Sequence, residues 1–160
     1  MTGVQTCALP ISAWLVEAGA PLSDISRRLY RTKPDAQLRL FGRILERLET
    51  ADDGRIVWSS VSDADYVTTG AERPHSEGLI DLLSQAEAAE VAILFKEAGP
   101  RETRLSVRTR PGGVDATVLT GRFGGGGHAR AAGATIALSL SEARPAVLAE
   151  ATSLVAAIER

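Results

Sequence analysis

Cysteine is nearly absent: Cys7 stands alone in 160 residues. No disulfide can form within the chain, and the expected setting is a reducing cytoplasm. Histidine is almost as scarce, with His75 and His128 the whole supply. Neither stands among spaced ligands, so no metal site is assigned to this chain. The carboxylates of Asp52, Asp53, Asp63 and Asp65 read as turn and capping residues. No apolar run approaches the roughly 18–20 residues that span a bilayer as a helix, so no membrane partner is expected. Excess charge of either sign is missing too. The net charge of −2 argues neither for nor against nucleic acid. What remains is the composition of an ordinary globular chain, long enough for one domain with a helical appendage.

Residues 1–12 read MTGVQTCALPIS. They carry no charged side chain, and Gly, Thr and Pro interrupt the few apolar positions. A secretory signal would have a basic start and a continuous apolar core. The stretch instead resembles the translation of a sequencing-library adapter joined to a truncated gene, matching through Ile11 with Ser12 at the junction. It is set aside as a non-native scar, and the natural chain is expected to extend further N-terminally.

From Ala13 the pattern is helical. A short piece over 13–20 ends at Gly19, Pro21 breaks it, and Leu22 to Tyr30 follows with Ser23 as N-cap. Pro34 opens a third helix, whose apolar stripe is read as Leu38, Phe41, Leu45 and Leu48. Asp52-Asp53-Gly54 is strong turn chemistry. Beyond it the pattern becomes mixed. A strand is predicted over 55–61, a short helix capped by Ser62, a loop over 70–75 and a helix over 77–85. The unbroken apolar run Val91-Ala92-Ile93-Leu94-Phe95 predicts a strand buried on both faces. Residues 103–110 alternate Leu105 and Val107 against Ser106 and Arg108, as a strand with one polar face does. Asp115 caps a helix through Arg122. A last strand over 134–140 precedes a final helix capped by Ser141, with Val147, Leu148, Ala151, Leu154, Val155 and Ile158 on its buried side.

The stretch with the clearest chemical content is Phe123 to Gly133. It holds four successive glycines, Gly124 to Gly127, then His128 and Arg130. Ordered glycines are costly, and a fold keeps them where backbone takes positive φ or where something approaches the main chain closely. Bare N–H groups make a concavity for anions. A helix over 128–132, if formed, would add its positive N-terminus. The local charge agrees. Arg101, Arg104, Arg108, Arg110, Arg122 and Arg130 face two acids, Glu102 and Asp115, with no lysine. Arginine's planar fork suits phosphate oxygens. A slack connector has the same composition, and that alternative stands on the residues alone. Gly124-x-Gly126-x-x-Ala129 also fits a dinucleotide-binding fingerprint, but that needs a long helix after the loop, and Gly133 leaves no room for one.

Ser106-Val107-Arg108-Thr109, Val114-Asp115, Phe123 through His128 and Ala131-Ala132-Gly133, in that order, resemble the C-terminal substrate-binding domain associated with DHH phosphoesterases. Ser76-Glu77-Gly78-Leu79-Ile80-Asp81 followed by Glu90 to Phe95 narrows the likeness to bacterial enzymes that degrade very short RNAs and dephosphorylate pAp. The resemblance implies a two-domain enzyme. An N-terminal domain holds two metal ions, usually manganese, on Asp and His ligands that include an Asp-His-His triplet, and the metals activate water. No such triplet is present here, so that domain is expected in cis outside this sequence, and no catalytic residue is assigned.

The expected fold is α/β: a small mixed sheet flanked by helices over 53–160, preceded by a helical linker remnant of the metal-binding domain over 13–52. The resemblance puts Gly125, Gly126, Gly127 and His128 against a terminal nucleotide and Arg108 on phosphate. Ser106 and Arg130 complete the expected set. The implied partners are short RNA oligonucleotides or nucleotide phosphates, and the chain alone is expected to be inactive. A module of another class, a non-enzymatic nucleic-acid binder like the C-terminal domain of alanyl-tRNA synthetases, is the alternative.

Overall fold

The structure, a computed structural model, describes residues 3–158. The chain divides into two compact units between Asp35 and Ala36. The first holds α1 (Gly3–Glu17), α2 (Leu22–Ser26) and a π-helical turn (Arg27–Arg31). α1 starts well before the expected Ala13 and takes in most of the 1–12 segment, Pro10 included. Gly19 ends the stretch as its type predicts, at φ +87°, where its N–H returns to the Val16 carbonyl. The helix expected over 22–30 changes to π geometry after Ser26. None of residues 10–35 is buried.

The second unit is a six-stranded mixed sheet with helices on both faces. Its helices are α3 (Asp35–Glu46), α4 (Asp63–Thr69), α5 (Leu79–Leu83), α6 (Ala116–Gly121) and α7 (Leu140–Ile158). Its strands are β1 (Glu49–Ala51), β2 (Ile56–Val61), β3 (Val91–Gly99), β4 (Glu102–Thr109), β5 (Gly126–His128) and β6 (Ala131–Ile136), in the order β1-β2-β3-β4-β6-β5. β2 and β3 run parallel, joined by the α4–α5 crossover that parallel pairing requires. All other pairs are antiparallel. The compact unit begins before the boundary drawn at Asp53, because α3 packs on the sheet and β1 pairs with β2.

β3 is the centre, as its apolar run predicts. Val91, Ile93 and Phe95 face one cluster with β4, α6 and α7, while Ala92 and Leu94 face the other with α3, α4 and α5. Val91, Ile93, Leu94 and Phe95 each contribute about 1.5–3 kcal/mol by burial, before ordering costs are set against it. On α7 the buried line is Ala143, Val147, Ala151 and Val155 at four-residue steps; Leu148 and Leu154 flank it and Ile158 is exposed. Ser139, not Ser141, sits at the N-cap position, and its N–H and hydroxyl both donate to the Glu142 carboxylate. On α3 the buried line is Gln37, Leu40, Phe41 and Ile44. The stripe read through Leu38 and Leu48 is corrected: both side chains are exposed. Phe41 belongs to either line, and the two differ by about one residue in helical phase.

The two helical layers do not cover the sheet equally. The α6–α7 cluster takes Leu105 and Val107 from β4 and Ala132 and Ile136 from β6. The α3–α5 cluster takes side chains from β2 and β3 and none from β4, β5 or β6. On that face the outer half of the sheet therefore carries no buried apolar cover, and α5 reaches it through the Asp81–Arg108 hydrogen bond.

The α3–α4 corner is fixed by charge. Asp65, 1% exposed, accepts from Arg43 Nε at 2.7 Å, Arg47 Nη2 at 2.7 Å, and the Ser62 N–H at 2.9 Å. Burial works against its ionised form, but the bonds from Arg47, the Ser62 backbone and Arg43 outweigh it and hold the carboxyl well below its usual range. A depressed folded-state pKa contributes stability above the ordinary carboxyl value that is lost as pH falls below it. Asp65→Asn should cost about 2 kcal/mol at neutral pH, discounted for the half-exposed arginines. It should also flatten the loss of stability below about pH 4. Urea melts of both proteins from pH 7 downward check this; parallel wild-type and variant curves would remove Asp65 as the acid-sensitive group.

Candidate functional site

Strand register decides what this half-face presents. Residues opposite each other across a ladder point to the same side. Val57 and Ala92 are opposite each other and face α3–α5. Ala92 is opposite Arg108, Arg108 opposite Ala131, and Ala131 opposite His128. Arg108 and His128 therefore stand on one face in one row, two strands or about 10 Å apart. In the next row Leu94 is opposite Ser106, Ser106 opposite Gly133, and Gly133 opposite Gly126. Ala131, Gly133 and Gly126 give the ground between Arg108, Ser106 and His128 almost no side chain. The arrangement is a shallow trough with polar walls and a main-chain floor.

The arginine is held in place. Arg108 Nε donates to Asp81 Oδ1 on α5 at 2.9 Å, and Nη1 donates to the Val107 carbonyl at 3.3 Å. His128 is exposed, and its ring makes no hydrogen bond among the described residues. Ser106 is half-buried at the edge of a depression of about 410 Å³ that also takes in Lys96, Arg104, Gly124, Gly125 and Gly133. Lys96 and Arg104 are opposite each other on β3 and β4. Neither makes a side-chain hydrogen bond or ion pair within 4 Å among the described residues. Burial pushes the Lys96 pKa down and Arg104 adds to that, while Glu77 opposes it. Sequence reading counted Arg104 in the local positive charge but not in the site, and it missed Lys96 and Asp81. Arg104 was legible, since it continues the two-residue alternation of Ser106 and Arg108. Lys96 was masked by the apolar run it ends, and Asp81 by its helical setting.

The glycine run is not a helix N-terminus. The possible helix over 128–132 is replaced by a hairpin: Gly126 to His128 form β5, and Ala129 and Arg130 turn into β6. Glycine makes this possible. A Cβ on Gly125 would overlap the Gly133 carbonyl oxygen and come within 2.6 Å of the Ala134 Cβ. A Cβ on Gly127, whose φ is +144°, would lie 2.6 Å from the Ala131 carbonyl oxygen. Gly126 differs, because a Cβ there meets nothing within 4 Å. Arg130 sits at the hairpin turn, exposed, and lines a second depression together with Arg108. Asp115 caps α6 as expected, accepting from the Thr117 N–H at 2.8 Å. His75 is half-buried, and its Nδ1 accepts from the Glu72 N–H.

The model of the DHHA1 domain matches residues 56–157. The chain belongs to the DHHA1 domain family. It is 30% identical over 141 residues to the bifunctional oligoribonuclease and PAP phosphatase of Thermus thermophilus, covering 88% of this chain and 41% of that protein. It is 30% identical over 128 residues to an A-adding tRNA nucleotidyltransferase of Geobacter sulfurreducens, covering 78% of this chain and 14% of that protein. The chain thus spans less than half the length of either relative. Among solved structures, an exopolyphosphatase-related protein from Bacteroides fragilis superposes with a TM-score of 0.82 at 21% identity, over 96% of this chain and 45% of that one. This DHHA1 domain is the sheet from β2 onward, and the trough lies inside it.

The glycines separate by role. Gly125→Ala and Gly127→Ala should each lower stability by about 2 kcal/mol or more, through overlap with the β6 main chain. Gly126→Ala should stay within about 0.5 kcal/mol of wild type. Thermal melts of the three variants check this; equal melting temperatures would mean the run is slack.

Proposed function

We propose that this DHHA1 domain is the substrate-gripping part of a metal-dependent phosphoesterase that hydrolyses short oligoribonucleotides, PAP, or both. The observation that carries the reading is the shared row of Arg108 and His128 across a floor of Ala131, Gly133 and Gly126. A terminal nucleotide laid on that floor meets Arg108 and Ser106 at its phosphate. A guanidinium gives a phosphate two parallel donors, and a hydroxyl adds a third. Asp81 takes Nε of Arg108 and the Val107 carbonyl takes Nη1, which leaves Nη2 for ligand. His128 approaches from the opposite wall, and the bare Gly126 main chain lets the ligand come close.

The likeness to the Thermus oligoribonuclease and PAP phosphatase supports the substrate class, and the tRNA nucleotidyltransferase supports RNA more broadly. Among the described residues no group of three or more His, Cys, Asp or Glu is suited to a metal ion. On this reading the metal centre, with manganese as the ion, belongs to a DHH domain in cis, and this chain contributes binding and orientation. The second reading is an RNA-binding module without hydrolysis, like the C-terminal domain of alanyl-tRNA synthetase, which the nucleotidyltransferase likeness favours.

Arg108→Ala should weaken binding of adenosine 3′,5′-bisphosphate by about 2 kcal/mol, the size of a charge-assisted hydrogen bond. His128→Ala and Gly126→Ala should weaken it too, and His128→Gln should recover part of the loss. Isothermal titration with that probe and with a diadenosine dinucleotide measures all four; wild-type affinities throughout would leave the trough without a nucleotide. The module reading gains if structured RNA binds and neither small probe does. With excess manganese and a dinucleotide, the isolated chain should give no turnover, and turnover that persists after repurification would put a metal site here.

A further inference from the structure

The trough does not end at Arg108. Arg104, Ser106 and Arg108 occupy alternate positions of β4 on that face, and Arg110 continues the alternation past the end of the strand. The Arg110 N–H donates to the Glu90 carbonyl at 3.1 Å, so the chain keeps its ladder course beyond Thr109. Its side chain goes to the same side as that of Arg108. Arg110 Nη2 donates to the Ala86 carbonyl at 2.7 Å, just after α5, the helix that holds Arg108 through Asp81. The Cα atoms of Arg108 and Arg110 are thus about 6.6 Å apart along the strand, on the order of one nucleotide step in an extended single strand.

Between them and the hairpin turn lies a depression of about 310 Å³ lined by Arg108, Arg110 and Arg130. Its other walls are small or apolar, among them Ser84, Ala89 and Pro111. The one acid in that lining, Glu90, accepts from Arg55 at 3.0 and 3.3 Å, a guanidinium it shares with Asp52. The Arg130 guanidinium makes no ion pair within 4 Å and no hydrogen bond among the described residues. Arg108 is paired with Asp81 and Glu90 with Arg55. Arg110 and Arg130, which make no ion pair within 4 Å among the described residues, therefore supply the field for anions.

We propose that this depression is a second phosphate subsite, built by Arg110 and Arg130, for the next phosphodiester of a single-stranded oligonucleotide whose terminal nucleotide lies against Arg108 and His128. The proposal rests on the nucleotide reading of the trough and adds a direction to it, along β4 toward the 110 end. It makes oligonucleotide binding separable from mononucleotide binding.

The test compares two probes on this chain, adenosine 5′-monophosphate and a 5′-phosphorylated triadenylate. Arg110→Ala should weaken the triadenylate about tenfold, as for a lost charge-assisted contact, and change the monophosphate less than twofold. The slope of log K against log salt for the triadenylate should fall by about 0.7, the share of one phosphate on a single strand. Arg130→Glu should weaken the triadenylate further. Retained monophosphate binding certifies the fold, so loss of the Ala86 bond is not mistaken for loss of the subsite. Equal weakening of both probes, or none, overturns the subsite and leaves Arg110 a structural strut. If wild type binds neither probe, the nucleotide reading falls and this inference with it. If it binds the monophosphate through Arg108 while Arg110→Ala leaves the triadenylate unchanged, the subsite alone falls.

Discussion

Main chain packs against main chain where β5 meets β6. At Gly125 and Gly127 there is no volume for even one methyl group, because carbonyl oxygens of β6 occupy it. That contact lets a three-residue strand lie flat on the edge of the sheet, and its register brings His128 into the row of Arg108. A side chain at either glycine would push β5 off the ladder and carry the histidine away with it. The geometry of the candidate site therefore rests on close backbone packing beside the groups that would touch ligand, Gly127 next to His128 and Gly125 in the same depression as Ser106. The partly open face is the second condition. α3, α4 and α5 bury β2 and β3 and α5 reaches β4 through Asp81 and Arg108, so the polar alternation of β4 stays partly open to solvent.

Much of this was legible in the residues. The apolar run of β3 has no polar position, and a strand with none is buried on both sides. The Leu105–Val107 alternation of β4 named both its faces. The caps at Ser62 and Asp115 follow from side-chain chemistry within three residues. What escaped reading depends on contacts distant in sequence. The α3 stripe has leucines on either side of Phe41, and the sheet selects Leu40 and Ile44 over Leu38 and Leu48. The residues after Gly127 form a strand because β4 offers them a ladder, which no local pattern states. Lys96 ends an apolar run and looks like its solvated terminus, yet its register partner is Arg104. Asp81 reads as an ordinary helix-surface acid until the fold sets it beside Arg108.

The candidate site shows the same division. Arg108, Ser106 and His128 were expected in the site through the family resemblance, and their register places them on one face. Gly125, Gly126 and Gly127 were named together, and the structure divides them: two are tight against β6 and one is open to the trough. Arg130 was placed in the same group and lies at the hairpin turn, beyond the Arg108 row.

Both borders of the sheet are short. β1 and β5 have three residues each, while the four strands between them have six to nine. A border strand with free N–H and C=O groups is a template for pairing with another molecule, and length and flatness make it a better one. Here one border ends within two residues in the left-handed aspartates Asp52 and Asp53, and the other is mostly glycine. Neither can recruit a neighbouring chain over more than a few bonds. The shortness of both border strands limits how far the sheet can grow at either end.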